Sequence, residues 1–341
     1  MEKKTIKYTF LFFCLGIALL LLFAADLFAG SVLLPLPEVW AALTGGDVPE
    51  TTKAIVLNFR VPKAAVALLA GVSLSVSGLQ MQTIFKNPLA DPYVLGISSG
   101  SSLGVALFVL GSAFWGGFSG LWMQNLGLAL AGWTGAFAML AVIMAASVRL
   151  RDTMSLLVLG IMAGGVVSAI VGVMQYFSEA AALKTYVLWT MGSFSAVPAG
   201  QLGLMTPAIT IGLLLAFLTT KWLDALMLGD VYARTMGLNV QRARTVLIIS
   251  SGFLAGTVTA FCGPIGFIGI AVPHLSRMLF QTANHRTLIP ATILLGGVMM
   301  LFCDLVSQLP GADSVLPVNT ITALLGIPVI VFVIYRNQRG Y

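Results

Sequence analysis

The sequence predicts an all-α integral membrane protein that crosses the bilayer ten times. Of its 341 residues, 58% are hydrophobic and 9% are charged, whereas soluble domains carry roughly 25% charged residues. The mean hydropathy is +0.99. The chain holds ten apolar runs, each near the roughly 20 residues that one helical span needs. These values exclude a soluble enzyme and a receptor with a single membrane anchor.

The spans follow one another from the N-terminus with short connections. The first apolar run, residues 10–29, exceeds the roughly 7 to 15 apolar residues of a secretory signal, so we interpret it as a retained span. No tandem repeat or soluble domain interrupts the others, and residues 1–341 are predicted to form a single transmembrane domain. The remaining spans are predicted at 62–84, 93–113, 121–147, 153–177, 199–219, 244–262, 267–283, 288–306 and 319–335.

Basic residues set the predicted orientation. With the N-terminus placed in the cytoplasm, fourteen Lys and Arg residues fall on the inner side, and only Lys53, Arg60, Lys63 and Lys184 fall on the outer side. Cytoplasmic segments of membrane proteins carry such an excess, so both termini are predicted to be cytoplasmic. The net charge of +6 then reflects membrane topology, and no nucleic-acid partner is expected.

Two hydrophilic segments lie between the predicted spans. The outer loop, residues 30–61, is predicted to hold a short amphipathic helix near 37–43. In the inner segment, residues 220–244, Asp230 suits the start of a helix and Gly237 suits its end. Such a helix would present Tyr232 and Arg234 to a cytoplasmic partner. The alternative interpretation is an ordinary solvated loop.

A glycine-rich run near the seventh span is predicted to interrupt a helix. Proline lacks a backbone donor and glycine relaxes a helix, so the run should join two short half-helices inside the protein. It contains no Lys, Ser or Thr that could hold a phosphate. The predicted hinge residues are Gly263, Pro264, Gly266 and Gly269.

Small residues also recur at helical spacing in the fifth predicted span. One explanation is close packing against a neighbouring helix, and the other is a face that lines a pathway for a bulky solute. The sequence leaves both open. The candidate pathway-lining residues are Gly160, Gly164, Ser168 and Gly172.

The chain shows no energy source of its own. No GxxxxGK[ST] phosphate loop occurs, so this chain is not expected to hydrolyse ATP. Ion-coupled carriers place ionisable residues at mid-membrane depth, whereas Asp26, Asp91 and Asp304 lie near the ends of predicted spans. This pattern disfavours an ion-coupled secondary transporter, although backbone carbonyls can also bind Na⁺.

Catalytic and metal-binding signatures are weak. Gly96-Ile97-Ser98-Ser99-Gly100 matches GxSxG but lacks the strand–turn–helix setting of a nucleophile elbow. An intramembrane serine hydrolase would need His274 as its base, and no acidic residue lies near His274 in sequence to orient it. Three isolated cysteines and two histidines do not form a metal-binding pattern, so neither a metal nor a bound cofactor is expected.

Several ordered motifs resemble the FecCD family, the permeases of ABC importers for iron chelates and cobalamin. The resemblance covers nearly the whole chain after the first span. The motifs are Phe59-Arg60-Val61-Pro62-Lys63, Ser77-Gly78-Leu79-Gln80-Met81-Gln82, Asn87-Pro88-Leu89-Ala90-Asp91-Pro92 with Leu95-Gly96-Ile97-Ser98-Ser99-Gly100, Met191-Gly192-Ser193-Phe194, residues 229–238, residues 263–269 with Val272-Pro273-His274, and Leu316-Pro317-Val318.

The resemblance implies a type II ABC importer permease of ten helices in the bacterial inner membrane. It further implies a second permease copy in a homodimer, two ATPase subunits that use ATP and Mg²⁺, and an external binding protein. Arg60 and Lys63 would dock the binding protein. The inner helix would couple to the ATPase through Gly229, Asp230, Tyr232, Ala233, Arg234, Gly237 and Leu238.

The sequence departs from the family at three positions before the last span. Gln308, Val315 and Asn319 stand nearest to the family's Arg and Glu-Leu-Pro-x-Gly run, which puts a third basic docking contact in doubt. The function expected from the resemblance is import of a ferric siderophore, haem or cobalamin, without covalent chemistry on this chain. An ion-coupled transporter and an intramembrane serine hydrolase remain the alternatives.

Overall fold

The computed structural model describes residues 2–30, 34–111, 121–149, 153–308 and 315–338, which are helical with no β-strand. A π-helical segment, Val56–Arg60, joins α3 to α4, and a 3₁₀ turn, Pro92–Leu95, precedes α5. The helices are α1 (Glu2–Phe28), α2 (Leu36–Thr44), α3 (Glu50–Ile55), α4 (Val61–Ile84), α5 (Ile97–Val109), α6 (Leu121–Arg149), α7 (Thr153–Phe177), α8 (Ala180–Thr190), α9 (Ala199–Leu218), α10 (Thr220–Met227), α11 (Asp230–Thr235), α12 (Val240–Cys262), α13 (Ile268–Phe280), α14 (His285–Ser307) and α15 (Val318–Gln338).

A helix occupies the position of every predicted span. Within the described ranges, seven helices are long and apolar enough to cross a membrane, and three shorter apolar helices are Ile97–Val109, Ile268–Phe280 and Val318–Phe332. The count of ten crossings and the orientation therefore stay predictions. Arg151 and Arg339, which contributed to the predicted orientation, lie outside the described residues, as do the last two residues of the span predicted at 93–113.

Two segments that connect predicted spans contain helices. The predicted amphipathic helix in the outer loop is present as α2, where Val39 and Ala42 are buried. The segment between the fifth and sixth predicted spans holds α8, for which no helix was predicted, and α8 buries Tyr186 and Trp189.

The prediction of two half-helices around the glycine-rich run is wrong on one side. α13 is short, with 13 residues, but α12 continues for 23 residues and is long enough to span the bilayer. Within α12, a Cβ placed on Gly252 would lie 2.8 Å from a side-chain carbon of Leu140, so this glycine permits close packing against α6. The chain leaves the helix only at Gly263, whose φ is +79°.

Helix α4 forms the centre of the fold because small residues let three helices approach its backbone. A Cβ placed on Gly71 would lie 2.3 Å from the carbonyl oxygen of Gly296 in α14. The hydroxyl oxygens of Ser77 in α4 and Ser251 in α12 are 2.6 Å apart. In the helix that includes α4, 83% of the most apolar window is buried, against 11% in α1 and 22% in α7. Helices α1 and α7 are therefore peripheral.

Candidate functional site

The hydrophilic segment 220–244 forms two short helices that lie against the membrane helices. Helix α10 packs on α4 and α14, with Leu223 and Leu226 buried. Two residues later the predicted helix is present as α11, which begins at Asp230. Gly229 and Gly237 have φ values of +111° and +83°. Residues with a side chain rarely adopt these values, so the two glycines permit the turns at the ends of α11.

Helix α11 is anchored by its first residue. A carboxylate oxygen of Asp230 lies 2.6 Å from the guanidinium of Arg244 in α12, and the other lies 3.6 Å from the ammonium of Lys86, just after α4. Within α11, the side chain of Ala233 is buried. The carboxylate of Asp230 therefore ties α11 to two long helices, a role that the sequence did not indicate.

The opposite face of α11 is free of such contacts and largely apolar. Val231, Tyr232 and Met236 have 80%, 54% and 61% of their surface exposed, and Arg234 is exposed beside them. Leu238 is partly buried behind this face. An exposed apolar patch on an anchored helix is typical of a contact surface for another protein.

The predicted docking residues Arg60 and Lys63 are engaged inside the protein. The guanidinium of Arg60 donates to the backbone carbonyls of Leu27 and Phe28 at 2.8 and 3.0 Å. The ammonium of Lys63 lies 2.8 Å from a carboxylate oxygen of Asp304. The structure thus brings both residues together at one end of the fold, but with protein partners already in place.

Around Lys63 two acidic residues share one cation. Asp26 of α1 lies 3.9 Å from the Lys63 ammonium, and Gln308 donates to the carboxylates of both Asp26 and Asp304. Gln308, one of the departures from the family pattern, therefore bridges two carboxylates as a neutral donor. Beside this cluster lies an open cavity of about 830 Å³, which Val315 also lines.

The glycine-rich run is an irregular segment held by distant side chains. The amide of Gly266 donates to the side-chain oxygen of Asn319 at 3.0 Å, so Asn319 supports this non-helical segment. A Cβ on Gly263 would lie 2.3 Å from the carbonyl oxygen of Trp189, and Gly269 meets Gly78 of α4. Pro264 lies in the same non-helical stretch. Close backbone approach, rather than freedom of rotation alone, explains these glycines.

An acidic residue lies directly beside this segment. A Cβ on Gly269 would be 2.9 Å from a carboxylate oxygen of Asp91, and the other oxygen accepts the amide of Tyr93 at 2.9 Å. Burial raises the pKa of Asp91 to about 6, although the hydrogen bond from Tyr93 partly opposes this shift. Asp91 therefore holds a proton more readily than an exposed carboxyl does, at the point where α4, α13 and the chain before α5 meet.

The small residues of α7 divide between packing and exposure. Gly160 is buried against the backbone of Val94 and Leu95, and Gly164 meets the Ser99 side chain. Ser168 and Gly172 are exposed. Close packing therefore accounts for the first two positions, while the last two stay candidates for a pathway wall.

The candidate hydrolase residues lie on separate elements. Ser98 and Ser99 lie in the first turn of α5, and Ser99 packs against Gly164 of α7. His274 lies in α13 and lines a small cavity with Pro88 and Leu89.

Known proteins are similar to this chain in sequence and in fold. Residues 18–336 match the FecCD transport family. The vitamin B12 import system permease protein BtuC of Shigella boydii serotype 18 is 33% identical over 327 residues, which cover 96% of this chain and 95% of that protein. The protein of the same name from Salmonella arizonae is 33% identical over 303 residues, or 89% of each chain.

A solved structure supports the same relationship. It is described as an inward-facing conformation of a metal-chelate type ABC transporter, and it is similar with a TM-score of 0.83 and 29% identity over 95% of this chain and 98% of that chain. The chain therefore belongs to the FecCD transport family and is a multi-pass inner-membrane permease of the metal-chelate and vitamin B12 class of ABC importers.

Proposed function

We propose that this chain is the permease subunit of an ATP-driven importer that moves a bulky metal chelate into the cytoplasm. The substrate is a ferric siderophore, haem or cobalamin, delivered by an external binding protein. Two copies of the chain form the pathway, and two separate ATPase subunits bind ATP and Mg²⁺. This chain itself binds no cofactor.

The observation that carries the proposal is the geometry of α11. An exposed apolar face, with Val231 and Tyr232 at its centre, stands on a helix that Asp230 fixes to α12 and to the end of α4. A surface that is anchored to long helices can pass a displacement to them, whereas a solvated loop cannot. We assign the contact with the ATPase to Tyr232 and Arg234 and the attachment to Asp230.

Docking of the binding protein remains assigned to the end of the fold that carries Arg60 and Lys63. Both side chains have internal partners, so a carboxylate from the binding protein would have to compete with Asp304 for Lys63. Charge pairs of this kind set encounter rate and register more than affinity. Arg60→Glu combined with Lys63→Glu is expected to weaken capture most at low salt, where charges are least screened.

Purification in mild detergent followed by mass spectrometry tests the importer proposal. An ATPase with a phosphate loop, at one copy per permease, should accompany the wild-type chain. Arg234→Glu should reduce that association and the ATP-dependent uptake of cyanocobalamin or a ferric siderophore into proteoliposomes. Arg286→Glu, an exposed arginine at the start of α14, is the matched control and should change neither.

Two results would overturn the proposal. Uptake that survives ATP depletion but collapses with a proton or sodium gradient would establish an ion-coupled transporter instead. Loss of function in Ser98→Ala or Ser99→Ala, together with a hydrolysed substrate, would establish a hydrolase.

A further inference from the structure

Three side chains connect the cytoplasmic helix α10 to two membrane helices. A carboxylate oxygen of Asp224 in α10 lies 2.7 Å from Nδ1 of His285 in α14, and it also accepts the backbone amide of His285 at 2.9 Å. On the other side of the ring, Nε2 of His285 lies 3.0 Å from the hydroxyl of Thr83 in α4. These contacts join residues that are 61 and 202 positions apart in the sequence.

The geometry fixes where the protons lie. A carboxylate only accepts hydrogen bonds, so Nδ1 of His285 must carry a hydrogen toward Asp224. The Thr83 hydroxyl also lies 2.8 Å from the carbonyl of Leu79, and its single proton serves either that carbonyl or Nε2. A neutral imidazole is bonded on both nitrogens when the Thr83 hydroxyl donates to Nε2, and His285 has no exposed surface through which water could replace a partner.

The neighbouring short helix, α11, has an attachment of its own to α12 and to the end of α4. Asp224 ties α10 to α4 and α14, while Asp230 ties α11 to α12 and to Lys86 after α4. Leu223 and Leu226 of α10 are also buried. Apolar packing permits sliding, but charged hydrogen bonds are directional and about twice as strong as neutral ones.

We infer that Asp224, His285 and Thr83 are positioning residues that transmit displacement of α11 to α4 and α14. This inference rests on the proposed function, because it supplies the route by which ATPase movement reaches the membrane helices. The three residues lie outside the exposed face of α11, and Thr83 and His285 are buried. They act on the ratio of substrate moved to ATP hydrolysed.

The test compares Asp224→Asn and Thr83→Val in the assembled transporter, with cyanocobalamin uptake and ATP hydrolysis measured on the same proteoliposomes. Uptake per ATP is expected to fall about fivefold while the ATPase stays bound. Thr83→Val removes one hydrogen bond, and Asp224→Asn keeps an acceptor oxygen but removes the charge that strengthens its hydrogen bonds. Thr83→Ser keeps the hydroxyl and should restore the ratio. Asp47→Asn, an exposed carboxylate in the loop after α2, is the control and should leave it unchanged.

Hydrogen exchange separates this inference from the proposed function. Amide exchange in α10 and in the first turn of α14 should rise in Asp224→Asn, whether or not an ATPase is present. Unchanged exchange there, or unchanged uptake per ATP, would overturn the inference. A wild-type chain that shows no ATP-dependent uptake would refute the proposed function, and the exchange measurement would still decide the attachment of α10.

Discussion

Replacing Gly78 by alanine is expected to force apart two helices at the centre of the membrane domain. A Cβ at this position would lie 1.8 Å from the carbonyl oxygen of Gly269 and 2.6 Å from its Cα. Ordinary van der Waals contact begins at 3.4 Å, so α4 and α13 would have to separate by about 1.6 Å. Overpacking of a core typically costs about 1–3 kcal/mol, and the upper end applies here because neither backbone can rotate away.

A matched control comes from Gly203 in α9. Nothing lies within 4 Å of a Cβ placed there, so alanine meets open space. Replacing an unstrained helical glycine by alanine typically raises the free energy of unfolding by about 0.4–1 kcal/mol. The two substitutions add the same methyl group to helices, but we expect opposite changes in the free energy of unfolding.

The assay is denaturation of the purified protein in detergent, followed by circular dichroism and tryptophan fluorescence. Gly78→Ala should lower the unfolding midpoint, and Gly203→Ala should leave it unchanged or raise it. If Gly78→Ala unfolded at the wild-type midpoint, the close crossing of α4 and α13 would be refuted, together with our explanation of the hinge glycines.

Three further predictions concern charge and backbone conformation. Lys63→Met should lower the free energy of unfolding by about 3–5 kcal/mol, because Asp26 and Asp304 would lose their shared cation. Adding Asp304→Asn should recover part of the lost free energy. Equal stability of the single and double variants in a denaturant titration would contradict this explanation. Because burial raises the pKa of Asp91 to about 6, its protonated form is favoured in the folded state and its stabilisation is lost as pH rises from about 4 through 6. Asp91→Asn should therefore match wild type near pH 4 and exceed it by about 2–3 kcal/mol at pH 7, and a difference that does not vary with pH would exclude this account. Gly229→Ala should cost about 1–3 kcal/mol, because φ +111° and ψ 153° at Gly229 lie in a region that essentially only glycine adopts. It should also raise amide exchange in α11, and wild-type exchange would show that the turn is not strained.

The helix positions could be predicted because their signals are local. An apolar run of sufficient length predicts a helix in a membrane without any knowledge of its neighbours. The short helix α11 was also predictable, since Asp230 and Gly237 mark its ends within one segment. The prediction that α12 is a short half-helix was wrong, because the glycine-rich run begins only at Gly263, after the 23 residues of α12.

The side-chain partners could not be predicted because they are distant in sequence. Lys63 was assigned to the outer surface by its position beside a predicted span, yet its partners Asp26 and Asp304 come from the first and ninth spans. Asp224 and His285 carried no motif, and only the packing of α10 on α14 brings them together. The signal that could have found them is the cost of burial: an ionisable side chain at the end of an apolar helix needs a partner.

The irregular segment between α12 and α13 has a consequence for the order of biogenesis. Its exposed amides would be costly in lipid, and here Ile265 donates to the hydroxyl of Tyr93 at 3.4 Å and Gly266 to the side chain of Asn319 at 3.0 Å. Asn319 belongs to α15, which leaves the ribosome after α12 and α13. The segment can therefore reach its final place only after α15 has been synthesised, and chains truncated before α15 should be recognised by membrane quality control.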